Sequence, residues 1–384
     1  MSHAPTITKG QQIIELLEAY GVDTVFGIPG VHTLELYRGL AASNIQHITP
    51  RHEQGAGFMA DGYARITAKP GVCFVITGPG LTNIATAMGQ ALGDSIPMLV
   101  ISTVNGESTK EQGCLHAMPR QADIIRPLTV ASFQLDATDN VTHTMSQVFA
   151  TLDAHNGTPL GPVHLQIPLD VIGQLANDET VQMIQQPIEH QQQQTQKSAD
   201  ILNHIQSAAH VINQHNPIVI LAGGGAVNAQ DQVKQLALAL DAPVVTTING
   251  RGLMANHALS VPASPSLEAT RSLLAQAHCV IALGTEMGQT DYDMYVNGNL
   301  PPLRNLIRID ISPSAIQAPQ QLGIHCDVSQ ALTHLLPLLT HKLPSVSSGE
   351  ARASMTRQTA FTQLPESYQQ YHRFLTTIIQ TLPE

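Results

Sequence analysis

The sequence predicts an α/β protein built of two doubly wound parallel-sheet domains, followed by a C-terminal linker and helix. Two observations lead there. Short apolar runs bounded by Gly or Pro alternate with helical patterns from residue 10 to about 173, and the alternation restarts at 199 after a Gln-rich break. Most of these runs are apolar at nearly every position, as expected for strands covered on both faces of a parallel sheet. A length of 384 residues accommodates the division.

The first domain spans residues 1–175. Positions 12–20 carry an amphipathic helical period and lead into a strand-like run at 24–26. The runs 45–49, 72–77, 98–102 and 163–167 read as buried strands, with helical patterns at 53–66, 83–92 and 144–154. Residues 176–198 read as an exposed linker, because Gln185-Gln-Pro-Ile-Glu-His-Gln-Gln-Gln-Gln194 is polar, low in complexity and without a core-facing period. The second domain, 199–340, carries a strand ending in a Gly-rich turn, Pro217-Ile-Val-Ile-Leu-Ala-Gly-Gly-Gly225. A helix at 230–240 and strands at 243–247, 279–283 and 305–310 follow. Residues 341–384 read as a Ser/Pro-containing linker and a helix at 367–382.

Composition narrows the function. A formal charge of −11, without a Lys/Arg cluster, argues against a nucleic-acid surface, and the lack of Trp removes a base-stacking platform. No apolar run approaches the ~20 residues of a membrane helix, so no membrane partner is expected. The four cysteines (Cys73, Cys114, Cys279, Cys326) are scattered, and Cys73 and Cys279 lie in apolar runs; a reducing cytoplasm fits. Eighteen histidines form no ligand-spaced pair, and no metal site is read from them.

Three segments stand out. Arg51-His-Glu-Gln-Gly-Ala-Gly-Phe-Met-Ala-Asp-Gly-Tyr-Ala-Arg65 places one acid, Glu53, before a helix with a thin face at Gly57, Ala60 and Ala64. Such a carboxylate is either a helix-start device or a buried acid/base group. Gly27-Ile-Pro-Gly30 lies upstream and Thr77-Gly-Pro-Gly-Leu-Thr-Asn83 downstream. Each reads alone as a turn after a strand, with Thr82 or Asn83 a candidate cap for the next helix.

In order and spacing the three segments resemble the pyrimidine-binding domain of thiamine-diphosphate enzymes, close to the acetolactate synthase and 2-oxo acid decarboxylase superfamily. The resemblance implies thiamine diphosphate as cofactor, with Pro29, Gly30, Glu53, Thr77, Gly80 and Asn83 as its contacts. It makes Glu53 the catalytic residue, engaging the aminopyrimidine ring so that its amino group can deprotonate the thiazolium. In this family Mg²⁺ binds the diphosphate in a third domain marked by Gly-Asp-Gly, a tripeptide that occurs nowhere here. The Mg²⁺ ligands are therefore expected from a domain the chain lacks, and no metal ligands are assigned within it. The expected assembly is a homodimer or tetramer, paired near the Gly57/Ala60/Ala64 face, or a complex with a complementing third-domain chain.

Substrate follows from the same resemblance. Acetolactate synthases carry Phe-Gln-Glu where this chain has Pro119-Arg-Gln121, which disfavours acetolactate-type carboligation. Leu115-His-Ala-Met-Pro119 and Gly284-Thr-Glu-Met-Gly-Gln-Thr-Asp-Tyr-Asp293 are more similar to 5-guanidino-2-oxopentanoate decarboxylases. A 2-oxo acid is thus the expected substrate, with His116 and Gln121 on its side of the site; as a loop residue His116 reads equally as solvated. Glu286 and Asp291 read either as guanidinium partners or as surface acids. Gly223-Gly-Gly225 does not complete a dinucleotide fingerprint, and 261–265 and 284–291 differ from the FAD-binding segments of acetolactate synthases, so FAD is not expected. The reading from a different class is a truncated, non-catalytic relative that folds and pairs with a partner.

Overall fold

The computed structural model describes residues 7–106, 113–118, 120–153, 160–176, 191–292, 300–317, 321–342 and 347–382. Pro119, most of the 176–198 linker and Asp293 lie outside the described residues. The chain divides into two compact units, Met1–Glu189 and His190–Glu384.

The first unit holds a six-stranded parallel sheet of β1 (Thr24–Gly27), β2 (Gln46–Ile48), β3 (Gly71–Val75), β4 (Met98–Val104), β5 (Ala131–Gln134) and β6 (Pro162–Pro168). Their order is β2-β1-β3-β4-β6-β5, so the chain reverses direction across the sheet between β1 and β3. Every residue of β3 is buried, which explains its unbroken apolar run. The helices are α1 (Lys9–Ala19), α2 (Leu34–Leu40), α3 (Glu53–Thr67), α4 (Pro79–Gly93), α5 (Gln121–Ile125), α6 (Val141–Leu152) and α7 (Leu169–Ile172). One core gathers Ile13, Leu17, Phe74 and Leu165; the other gathers Ala56, Cys73, Val75, Ile84 and Met88.

Two local expectations change. The helix expected from residue 83 starts at Pro79, because Gly78 adopts φ +64° and Pro79 occupies the first helical position, where its missing N–H costs nothing. Neither Thr82 nor Asn83 caps it. The small-residue face of α3, expected to serve subunit pairing, is instead used inside the unit. A Cβ at Gly57 would lie 2.5 Å from Ala87 Cβ and 2.9 Å from Ile84 Cγ1, so α3 and α4 meet at this thin strip. The apolar residues that α3 leaves exposed are Phe58, Met59 and Ile66.

His164 on β6 is fully buried between Ser102 Oγ (2.8 Å) and Ser132 Oγ (3.0 Å). Burial disfavours the imidazolium and pushes the pKa down to about 4. Between pH ~6.5 and 4 the unfolded chain therefore binds this proton and the native chain does not. Stability is expected to fall as pH drops through that window, by on the order of 3 kcal/mol from this group, and to be independent of it above the window. Urea unfolding at several pH values checks this, with a shallower slope expected for His164→Gln.

The second unit repeats the architecture with β7 (Ile218–Ala222), β8 (Val244–Thr246), β9 (Ser260–Val261), β10 (Cys279–Leu283), β11 (Leu306–Asp310) and β12 (Gln321–His325), ordered β12-β11-β10-β7-β8-β9 and all parallel. Its helices are α8 (Gln191–Gln214), α9 (Gln230–Leu240), α10 (Glu268–Gln276), α11 (Gln289–Tyr292), α12 (Pro313–Ile316), α13 (Val328–Leu335), α14 (Gly349–Gln363) and α15 (Glu366–Thr381). Cys279 is fully buried, as Cys73 is in the first unit. Two segments read as linker are helical. The helix α8 begins inside the Gln run, since Gln is a good helix former once a later apolar stripe anchors the helix. The helix α14 packs through Ala353, Thr356 and Ala360, and Arg352 and Arg357 donate to the carbonyls of Asp241 and Ser260. Among the described residues no helix is long and apolar enough to cross a membrane.

Candidate active site

In an open parallel sheet the loops leaving the carboxyl ends of the strands part where the strand order reverses, and ligands bind in that crevice. In the first unit this falls between β1 and β3. The loop 28–30 follows β1, and Ile76, Thr77 and Gly78 follow β3. Glu53 opens α3, just beyond β2, with His52 Nδ1 accepting from the Gln54 N–H to cap the helix. Glu53 thus lies in a helix first turn, as the bland reading required.

It also does more. Asn83 Nδ2 donates to Glu53 Oε2 at 2.9 Å. The other oxygen, Oε1, lies 3.7 Å from where a Cβ of Gly80 would stand. The carboxylate therefore joins the first turns of α3 and α4, both of which carry partial positive charge. Ile76 fills the crevice floor: a Cβ at Gly30 would meet its Cγ2 at 2.5 Å, and one at Gly80 its Cγ1 at 2.7 Å. The structure thus brings Gly30, Glu53, Gly80 and Asn83 to one place, with Pro29 exposed on the adjoining loop. Glu53 is half-buried in this chain rather than dry.

The remaining candidates separate. Thr77 is buried and its hydroxyl donates to the Thr103 carbonyl, tying β3 to β4. Gln121, expected to face substrate, is 1% exposed. Its Oε1 accepts from the Gly78 N–H (3.0 Å) and its Nε2 donates to the Thr103 carbonyl (2.7 Å), so it bolts the Gly78 turn to β4. Gln121→Leu would leave the Gly78 N–H buried and unpaired, at about 1–3 kcal/mol, while the Thr103 carbonyl keeps the Thr77 hydroxyl as a donor. A lower melting temperature and weaker cofactor affinity are expected, read by thermal unfolding and titration.

His116 is exposed and has φ +57°, an uncommon conformation for a residue with a Cβ. Its carbonyl packs on Gly78, where a Cβ would come within 2.5 Å, so the 115–118 segment abuts the Gly78 turn. Sequence reading missed His32. It lies in the turn Val31–Thr33, with its ring centroid 6.1 Å from that of His116, and burial and His116 lower its pKa. The only sequence signal was its position two residues beyond Gly30.

In the second unit, the loops after β7 and β10 meet backbone to backbone. A Cβ at Gly225 would lie 2.9 Å from Gly284 Cα, and Gly284 has φ +52°. Beside them Arg308 is buried and donates to the Thr285 carbonyl at 2.7 Å. Asp291 Oδ1 accepts from the Ile248 N–H at 3.3 Å. Among the described residues no group of three or more His, Cys, Asp or Glu side chains is arranged to hold a metal.

Comparison with known proteins places these two units. Residues 7–124 match the thiamine pyrophosphate enzyme N-terminal TPP binding domain, and residues 205–335 match the central domain of the same enzymes. The chain is 40% identical over 363 residues to the Pseudomonas aeruginosa protein named "Probable 2-ketoarginine decarboxylase AruI", covering 93% of this chain and 62% of that protein. It is 31% identical over 350 residues to the acetolactate synthase of Mycobacterium bovis, covering 87% and 54%. To the acetolactate synthase isozyme 1 large subunit of Escherichia coli it is 31% identical over 338 residues, covering 86% and 58%. The chain thus spans under two thirds of the length of these relatives. With both domain matches in chain order on two parallel-sheet units, it belongs to the thiamine pyrophosphate enzymes, of which it carries the N-terminal and central domains.

Proposed function

We propose that this chain is the cofactor-activating portion of a thiamine-diphosphate-dependent 2-oxo acid decarboxylase, with 5-guanidino-2-oxopentanoate as substrate. One observation carries the reading: Glu53, held by Asn83, faces Gly80 in the crevice between β1 and β3. These residues fit an aminopyrimidine ring. Gly30 and Gly80 leave room for close approach, Ile76 offers an apolar surface, and Glu53 Oε1 can share a proton with a ring nitrogen. Pro29 and Thr77 shape the two loops that flank the ring. When bound, the cofactor supplies the electron sink that decarboxylation of a 2-oxo acid needs. This chain's part is to hold the proton at Glu53, keep the Gly78 turn in place through Gln121, and present His116 to the substrate side.

The substrate assignment is supported by the printed name of the 40%-identical relative, 2-ketoarginine being the guanidino oxo acid. Acetolactate-type carboligation is the second reading, supported by the 31%-identical synthases. Pro119 and Arg120 in place of the Phe and Gln of those enzymes weigh against it. Mg²⁺ ligands are proposed to come from a third domain like that expected of the relatives' additional length. FAD is not proposed, since 261–265 and 284–291 differ in bulk and charge from the FAD-binding segments of acetolactate synthases. A homodimer or tetramer is proposed to cover Phe58, Met59 and Ile66, and the cytoplasm is the proposed location.

Titration of the chain with thiamine diphosphate and Mg²⁺, alone and with a third-domain chain supplied in trans, tests the reading. Saturable binding in at least one arm is expected; no binding in either overturns it.

A further inference from the structure

The roles above leave several buried polar atoms beside the crevice unused. His32 Nδ1, Thr103 Oγ1 and Asn105 Oδ1 have no hydrogen-bond partner, although His32 is only 4% exposed, Asn105 9% and Thr103 fully buried. Folded proteins rarely leave such groups orphaned, and those that persist call for an explanation.

Contacts link these residues into a row that adjoins the Glu53 crevice. The turn Val31–Thr33, which carries His32, packs against β4. Thr103 lies near the carboxyl end of β4 and Asn105 one residue past it. Asn105 Nδ2 donates to the Leu115 carbonyl at 3.4 Å, and the next residue, His116, lies beside His32 on one side and Gly78 on the other. At the far end, the carboxylate of Asp170 closes over Gly106, where a Cβ would lie 2.6 Å from both oxygens. Among the described residues no Lys, Arg or His forms an ion pair with Asp170.

The row is one-sided in its chemistry. A carboxylate and an amide oxygen accept hydrogen bonds, as do the Thr103 hydroxyl and, in the tautomer protonated at Nε2, His32 Nδ1. An unbranched aliphatic substrate would leave them unsatisfied. A guanidinium brings five N–H donors in a planar fork together with a positive charge. A site built to bind donors rejects an analogue lacking them, because buried groups such as His32 Nδ1 and Asn105 Oδ1 are then left unpaired, while the exposed Asp170 adds the opposite charge.

We propose that His32, Asn105 and Asp170 form the seat for the guanidinium of the 2-oxo acid, whose carboxylate end points toward the Glu53 crevice. This rests on the decarboxylase reading and makes these three residues determinants of specificity. It also moves guanidinium recognition away from Glu286 and Asp291, which belong to the second unit.

The test compares 5-guanidino-2-oxopentanoate with 2-oxopentanoate, which has the same chain without the guanidinium. Affinities for the full chain are measured by calorimetry in the assembly that binds thiamine diphosphate. The guanidino acid is expected to bind at least tenfold more tightly, and Asn105→Leu and Asp170→Asn are each expected to cut that ratio at least tenfold. Nitrogen NMR of the wild-type imidazoles gives a reading that needs no variant to fold: the guanidino acid, and not 2-oxopentanoate, is expected to shift His32 Nδ1. A ratio near one, a ratio that both folded variants leave unchanged, or a silent His32 overturns the seat while leaving the decarboxylase reading intact. Failure of both acids to bind removes that reading and the seat with it.

Discussion

Glu53→Gln is expected to lower turnover of the 2-oxo acid by at least about a hundredfold in any assembly in which this chain is active. The change is nearly isosteric, and the amide oxygen of Gln can still accept from Asn83 Nδ2, so the 2.9 Å contact between α3 and α4 need not break. What is lost is an oxygen able to hold and release a proton at the position facing Gly80. The fold is expected to survive, since the loss of one acid from a helix first turn costs about 0.3–1 kcal/mol. Measuring kcat alongside the melting temperature separates the two effects: a loss of turnover that merely follows a loss of folded protein would exclude the proposed role. Asn83→Ala is expected to do less, loosening the carboxylate without removing it.

Gly71→Ala is expected to be among the most destabilising single-methyl additions in the first unit. The added Cβ would lie 2.6 Å from the Ala60 carbonyl carbon and 2.8 Å from Ala60 Cα, with the Ala60 oxygen closer still. These are backbone atoms in the middle of α3, and they cannot rotate away as a flexible side chain would. Relief requires α3 to lift from β3, which would also disturb the strip where Gly57 meets Ala87 and Ile84. Overpacking of this kind costs about 1–3 kcal/mol and occasionally more. For a unit of this size that is a loss of roughly 2–4 °C in melting temperature per kcal/mol. Because α3 carries Glu53 on its first turn, cofactor affinity is expected to fall with stability. An unchanged melting temperature would mean that α3 and β3 are less tightly apposed than a 2.6 Å approach to the Ala60 carbonyl carbon requires.

Much of the fold was legible because its signals are local. The strands β3, β4, β7 and β10 are apolar almost throughout, and the unbroken run is itself the mark of a strand buried on both faces. The helix α15 was readable from its strong amphipathic period, and it lies within one residue of expectation at each end. By contrast, β9 has two residues and β5 is only partly buried, so neither stands out from loop. The helix α14 escaped because its buried positions are Gly, Ala and Thr, which show no apolar stripe and depend on a close-fitting partner surface.

The sequence by itself determined the fold class, the order of the two units and the residues that meet at the β1/β3 crevice. The first two follow from periodicity and from Gly and Pro at positions where the backbone has few choices; the third follows from the resemblance of three segments to thiamine-diphosphate enzymes. Only the tertiary structure decided which polar groups are engaged and which are free. It assigned Gln121 to the Gly78 turn, turned the Gly57 face inward onto α4, and left His32 and Asn105 with unpaired atoms beside the crevice. The physical reason is that a hydrogen bond or a contact depends on what the fold places opposite a side chain. For Gln121 and Gly57 the opposing group comes from a part of the chain remote in sequence, and for His32 and Asn105 none is placed there, so no local pattern records the outcome.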